Sequence, residues 1–148
     1  MRRVEFTKKL GERTSKAIES WAYRHAPKTY AGSFLEEEHG PVIFRIGFTG
    51  DQIAQLEAFK REVKLFAPAH IQSFPVPPTY TEQELEGLSE EVFESQTCCL
   101  FDSVWSNIEA NKVEVGTQHV ARAKRLLLER FGTLDPFLVV FEEPPVPL

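Results

Sequence analysis

Histidine is the residue type in this sequence best suited to metal binding or acid–base chemistry. The four histidines, His25, His39, His70 and His119, lie far apart and show none of the short spacings, such as HExxH or HxH, that hold a metal ion on one element. We therefore predict no metal site and no cofactor. The simplest interpretation of His39 and His119 is that both are solvated.

The two cysteines are neighbours, Cys98 and Cys99. A disulfide between adjacent residues is strained, and no CxxC spacing or flanking cation is present to activate a thiol. We interpret both as residues at the start of a strand. No GxSxG motif and no Gly-rich loop with lysine occurs, so neither a hydrolase elbow nor a phosphate cradle is predicted. An enzyme built from scattered residues such as His70, Cys98 or Cys99 stays open as an alternative.

Charge narrows the classes of partner. The 148 residues include 17 Lys and Arg interleaved with 22 Asp and Glu, for a formal net charge of −5. This balance argues against binding along a nucleic-acid backbone and favours a cationic or neutral partner. The acidic run from Glu36 to Glu38 is interpreted as a solvated hairpin tip. With neither a membrane-spanning run of roughly 18 apolar residues nor a secretory signal, we expect a cytoplasmic protein that does not contact a membrane.

Apolar periodicity and turn residues predict the order helix, β-hairpin, helix, strand twice along the chain. In the first half the predicted elements span residues 7–24, 30–36, 42–48, 51–64 and 71–74. In the second half they span residues 81–93, 101–108, 112–115, 117–131 and 137–141. Asp51, Thr81 and Thr117 are the predicted helix starts, and Gly132 is the predicted C-terminal cap.

The two halves also match each other. A shift of 67 residues (113 less 46) needs no gap and pairs apolar positions: Ile46 with Val113, Phe48 with Val115, Ile53 with Val120, Phe59 with Leu126, Ile71 with Leu138, and Phe74 with Phe141. Such agreement predicts an internal duplication. The predicted fold class is α+β, a duplicated α-β-β-α-β unit in which each small three-stranded sheet has helices on one face. The units span residues 7–76 and 77–143, and a proline-rich tail spans 144–148.

Helices on one face leave the second face and the edge strands of each sheet without cover. Two interpretations remain open: the two units cover each other, or one sheet face or edge strand is kept for a partner protein. In the second case the last strand and the tail form the predicted contact surface, which comprises Phe137, Leu138, Val139, Val140, Phe141, Pro144, Pro145, Val146 and Leu148.

Three segments carry a family resemblance: residues 30–34 (YAGSF) opening the first hairpin, 48–51 (FTGD) closing it, and 111–115 (NKVEV) in the second. With the doubled topology, they resemble the pro-region of α-lytic-protease-type serine proteases over residues 7–143. The resemblance implies a folding helper and inhibitor that acts by surface complementarity, without catalysis. Its last strand would pair with a protease hairpin and its tail would enter the substrate cleft, so the implied partner is a serine protease.

Two further expectations follow. Because the chain ends at Leu148 without a protease domain, we expect a stand-alone relative of the pro-region fold. KH-type RNA-binding modules share the α-β-β-α-β layout and clamp the RNA backbone with a GxxG loop between two helices. We expect no GxxG sequence in this chain, and the net charge is negative, so a KH-like nucleic-acid-binding module is the weaker alternative.

Overall fold

The computed structural model describes residues 2–37, 42–63, 70–96 and 99–144, with side chains described from Glu12 onward. Within these ranges the chain forms four helices and two three-stranded sheets, which confirms the α+β fold with a duplicated unit. The chain divides into two compact units, Met1–Thr81 (unit 1) and Glu82–Leu148 (unit 2).

Unit 1 is built around one central strand. Its elements are α1 (Arg2–His25), β1 (Tyr30–Glu36), β2 (Ile43–Phe48), α2 (Gln52–Glu62) and β3 (Ile71–Ser73). Strand β2 lies in the middle of the sheet and pairs antiparallel with β1 and parallel with β3. The predicted bounds of β1 are confirmed, whereas α1 begins five residues earlier than predicted, at Arg2 instead of residue 7.

Alternate residues of β2 face the two helices. Ile46 and Phe48 are fully buried and pack in one cluster with residues of both helices, namely Ile18 and Ala22 of α1 and Leu56 and Phe59 of α2. Trp21 packs against this cluster, with its ring edge-on to Phe48 at a centroid distance of 6.1 Å. Both helices therefore cover the same face of the sheet, as the sequence predicts.

The start of α2 is confirmed, but part of its predicted apolar stripe is wrong. Asp51 is the N-cap, and its carboxylate accepts a hydrogen bond from the N–H of Ala54 at 3.1 Å. Ile53, which the sequence places on the buried stripe, is 67% exposed. The buried residues of α2 are Gln52, Leu56 and Phe59, so two members of the predicted stripe are confirmed and Gln52 is buried where Ile53 was expected.

The ring of Phe74 lies so close to β2 on the outer face of the sheet that position 47 must be a glycine. An added Cβ at Gly47 would lie 2.5 Å from the ring of Phe74, which is 5% exposed and packs against Phe34. The backbone of Phe74 is held by the buried amide of Gln52: the N–H of Phe74 donates to Gln52 Oε1 at 3.1 Å, and Gln52 Nε2 donates to the Phe74 carbonyl at 3.4 Å. Only a residue without a side chain allows the ring to lie there.

Unit 2 repeats the order and the strand directions of unit 1. Its elements are α3 (Glu82–Ser95), β4 (Ser103–Asn107), β5 (Lys112–Thr117), α4 (Val120–Phe131) and β6 (Phe137–Phe141). Strand β5 is central, antiparallel to β4 and parallel to β6. Its inward residues Val113 and Val115 are fully buried, as are four helical residues of the unit: Leu85, Val92, Ala123 and Leu127.

In unit 2, one of the predicted helix caps is confirmed, whereas another cap and one predicted buried residue are wrong. The N-cap of α4 is His119, and Thr117 instead ends β5 with its hydroxyl donating to the Leu100 carbonyl at 2.7 Å, so the predicted Thr117 cap is wrong. Gly132 is confirmed as the C-terminal cap, with a left-handed φ of 75°. Phe93, predicted on the buried stripe of α3, is 65% exposed.

The duplication holds for topology but not for a constant residue shift. Ile71 is 2% exposed, and the matching buried position at the start of β6 is Phe137 at 8%, not Leu138 at 36%. In both central strands, β2 and β5, the last three residues are buried. Aligning these buried residues places Gly47 on Gly116, which is a shift of 69 residues (116 less 47). The ungapped shift of 67 is therefore wrong in detail, because turn lengths differ between the units.

We predict opposite effects for two glycine substitutions in these units. Gly47→Ala should lower the free energy of unfolding of unit 1 by about 1–3 kcal/mol, because Phe74 must leave its position. Gly87→Ala should raise that of unit 2 by roughly 0.5–1 kcal/mol, because Gly87 is helical and its Cβ would meet nothing within 4 Å.

Urea denaturation measures both effects, followed by the fluorescence of Trp21 in unit 1 and Trp105 in unit 2. In each case the tryptophan of the other unit is replaced by phenylalanine. Equal and small changes for both substitutions would contradict the packing of Phe74 over Gly47.

Candidate interaction surface

Strand β6 lies at the edge of its sheet. Within the described residues it is hydrogen-bonded only to β5, and the sheet order is β4-β5-β6. The predicted bounds, Phe137–Phe141, are confirmed. The last strand therefore lies at the edge of the sheet and not inside it.

The register decides which backbone groups of β6 are available. The N–H of Val113 donates to the Pro136 carbonyl at 2.8 Å, and the N–H of Glu142 donates to the Thr117 carbonyl at 2.9 Å. Because backbone groups alternate in direction along a strand, the even-numbered residues of β6 point their N–H groups toward β5. Val139 and Phe141 therefore direct theirs away from the sheet, where an added strand would pair.

The side chains of β6 divide between the two faces of the sheet. Phe137 is buried, and Val139 lies opposite the buried Val115. Leu138 lies opposite Glu114, on the outer face, and is 36% exposed, while Phe141 at the end of the strand is 61% exposed. The predicted contact residues therefore have different surroundings: Phe137 is closed off, whereas Leu138 and Phe141 are accessible.

A polar and aromatic cluster continues this outer face across the sheet. Trp105 of β4 lies opposite Glu114 of β5, which in turn lies opposite Leu138. Glu114 accepts hydrogen bonds from Trp105 Nε1 at 2.9 Å and from Asn107 Nδ2 at 3.0 Å. The indole is 47% exposed. Its ring is thus held in one orientation on the surface by a carboxylate.

Glu142 crosses the same face just after β6 ends. Ser103 Oγ donates to Glu142 Oε2 at 2.8 Å, and the carboxylate lies directly over Gly116. This position matches that of Phe74 over Gly47 in unit 1. The outer face of sheet β4-β5-β6 therefore carries two carboxylates, Glu114 and Glu142, beside the exposed apolar surface of Trp105 and Leu138.

The rest of the predicted tail lies almost wholly outside the described residues. Pro144 is exposed. Pro145, Val146 and Leu148 lie outside the described ranges, so their predicted role in a contact stays a prediction.

The described histidines have different surroundings. His70 Nδ1 lies 2.8 Å from the Val42 carbonyl, and His25 lies beside Trp21, with ring centroids 5.3 Å apart. His39 and Cys98 fall outside the described residues. Among the residues that are described, no group of three or more His, Cys, Asp or Glu is arranged to hold a metal ion.

Cys99 and His119 belong to the same cleft, which was not predicted from the sequence. Both line a cleft of about 290 Å³ together with residues of α4. Cys99 has a left-handed φ of 70° and precedes β4 by four residues, so its interpretation as the start of a strand is wrong. It is not part of a disulfide.

One Gly-x-x-Gly sequence does occur in the chain, from Gly47 to Gly50. It spans the end of β2 and the turn into α2, and therefore does not lie between two helices. Phe48 is fully buried, and Gly47 is covered by Phe74. Gly47 and Phe48 are thus closed off within unit 1, whereas Gly50 is exposed. A loop whose first half is buried is not the open backbone clamp of a KH module.

Comparison with known proteins adds no relative. The sequence matches none of the protein-family models and none of the curated proteins with which it was compared. Within the described ranges, no helix combines the length and the apolar character that a membrane crossing requires.

The edge geometry predicts different costs for proline at adjacent positions of β6. Leu138→Pro removes an N–H that points toward β5 and leaves a carbonyl of that strand unpaired, so we expect a loss of about 1–3 kcal/mol in the free energy of unfolding. Val139→Pro removes an N–H that points to solvent and should cost less. Urea denaturation followed by Trp105 fluorescence compares the two, and an equal loss would contradict the register of β6.

Proposed function

We propose that this chain is a protein-interaction module that binds its partner by strand addition at the edge of β6. The observation that carries the proposal is that β6 is an edge strand made only of apolar residues, FLVVF, with backbone donors directed outward. Edge strands in natural proteins are usually protected by charges, prolines or short length. None of these protections lies within Phe137–Phe141.

The edge strands of unit 1 support the choice by contrast. Strand β3 has only three residues and is followed by prolines at positions 75, 77 and 78. Strand β1 ends at Glu36, whose carboxylate pairs with Arg45 at 2.7 Å. Both edges have protections that β6 lacks, so β6 is better suited than either edge of unit 1 to accept a strand from another protein.

Charge indicates the chemistry of the partner. Unit 2 contains thirteen Asp and Glu against five Lys and Arg, a formal net charge of −8. Two of these carboxylates, Glu114 and Glu142, lie on the sheet face beside β6. A partner segment that is extended, apolar on alternate residues and basic on the others fits this surface.

The protease partner implied by the pro-region resemblance is a specific form of this proposal. It is supported by the position of β6, which closes the second unit at the sheet edge, where a protease hairpin would add. In this form the chain acts as a folding helper or inhibitor by surface complementarity and has no catalytic role. The KH-like alternative has less support, since Gly47 of the Gly47–Gly50 motif lies under the ring of Phe74 and Phe48 is fully buried.

Inhibition of a serine protease of the α-lytic type tests the protease form. We expect the chain at micromolar concentration to slow peptide hydrolysis. Val139→Pro should abolish this effect, since it blocks an outward N–H, and Phe141→Ala should weaken it about tenfold through lost apolar contact. Leu128→Ala is the matched control, because Leu128 is 50% exposed but lies on α4.

Binding without inhibition would support strand addition but remove the protease role. To measure it, the chain is immobilised and proteins retained by the wild type are compared with those retained by Val139→Pro. The proposal as a whole is overturned if every retained protein binds the folded Val139→Pro variant as tightly as the wild type.

A further inference from the structure

The cleft that contains Cys99 and His119 lies on the helical side of unit 2. It has a volume of about 290 Å³ and is lined by two arginines and one glutamate of α4, two leucines, the histidine and the thiol: Arg122, Arg125, Glu129, Leu100, Leu126, His119 and Cys99. These residues come from the loop before β4 and from α4. The arrangement is separate from β6 and its outer face, and strand addition does not use it.

The two guanidinium groups are available to a ligand. Within the part of the chain that the structure describes, neither Arg122 nor Arg125 takes part in an ion pair. Both arginines are exposed. Arginine presents parallel N–H donors that match the oxygens of a phosphate group, and such charge-assisted bonds are about twice as strong as neutral ones.

The position of these cations is unusual for so acidic a unit. Of the five Lys and Arg in unit 2, four lie between positions 122 and 130 of α4. Two of the four line the cleft, while Lys124 and Arg130 do not. Positive charge is therefore concentrated on one helix of a unit whose net charge is −8, and within that helix it is partly directed into a cleft.

The start of α4 also borders the cleft. His119 is the N-cap, and its side chain makes no capping hydrogen bond. The first N–H groups of a helix have no partner within the helix, and they favour a negative group. His119 and Arg122 line the cleft, so this end of the helix lies beside it.

We propose that this cleft binds the phosphate group of a small phosphate monoester. Arg122 and Arg125 hold the phosphate oxygens, and the apolar surface of Leu100 and Leu126 contacts the organic part. Glu129 lines the same cleft and disfavours additional negative charge, which limits the ligand to one phosphate group. The cleft volume leaves room for an organic group beside the phosphate.

Titration with inorganic phosphate and with phenyl phosphate tests the site, using amide chemical shifts of the full chain. Ionic strength is kept constant with sodium chloride. We expect saturable shifts at Leu100 and in the first turn of α4, with phenyl phosphate binding at least about threefold more tightly because its ring contacts the leucines. Chloride alone should cause no saturable shift.

Two double variants test whether Arg122 and Arg125 form the binding site. Each variant removes two positive charges, so the two variants change the net charge equally. Arg122→Gln with Arg125→Gln should raise the dissociation constant of phenyl phosphate at least about tenfold. Lys124→Gln with Arg130→Gln should change it less than about twofold, since neither residue lines the cleft. Equal weakening by both variants, or shifts that never saturate, would overturn the proposal. Phenyl phosphate binding no tighter than inorganic phosphate would overturn its monoester part.

Discussion

The burial of two alternate residues on each central strand is the constraint on which the rest of the structure depends. Ile46 and Phe48 on β2, and Val113 and Val115 on β5, are fully buried. Burying one such side chain contributes about 1.5–3 kcal/mol. Because side chains alternate along a strand, fixing these residues toward the helices also fixes which residues face outward. The register with both neighbouring strands then follows, and a slip of one residue would expose the whole set.

This constraint leaves the outer face free to differ between the two units. In unit 1 the face is closed by the ring of Phe74, which lies over Gly47, and by Arg45, which bonds to Glu36, Gln72 and the Ser73 carbonyl. In unit 2 the equivalent place over Gly116 is taken by the carboxylate of Glu142. The same topology thus gives one outer face covered by an aromatic ring and one that is acidic and partly apolar.

The sequence predicted the elements well and their exposed faces less well. The bounds of β1 and β6 and the caps Asp51 and Gly132 were predictable, because strand alternation, side-chain capping and a left-handed glycine are local effects. The exposure of Ile53 and Phe93 was not, because α2 and α3 have apolar residues on more than one face and tertiary packing selects between them.

For the candidate sites too, features set by neighbouring residues were predictable from the sequence, and features set by distant residues were not. That residues 137–141 form an apolar strand closing the second repeat was predictable from the sequence. The cleft was not, since Cys99 and Arg122 are distant in sequence and meet only because the loop before β4 packs beside α4. A weak signal was present in the four basic residues of α4, which stand out only when unit 2 is counted separately from the whole chain.

An apolar edge such as β6 needs some protection from self-association, and its flanks supply one. Glu142 and Glu143 follow the strand directly, and Asp135 precedes it by two residues. Charges that flank an apolar strand oppose pairing of identical copies, because two such edges bring like charges together. A partner that adds basic residues at these positions meets no such repulsion. In the proposed strand addition, the acidic flanks therefore disfavour a second copy of this chain and favour a cationic strand. The apolar residues between the flanks can contact either one.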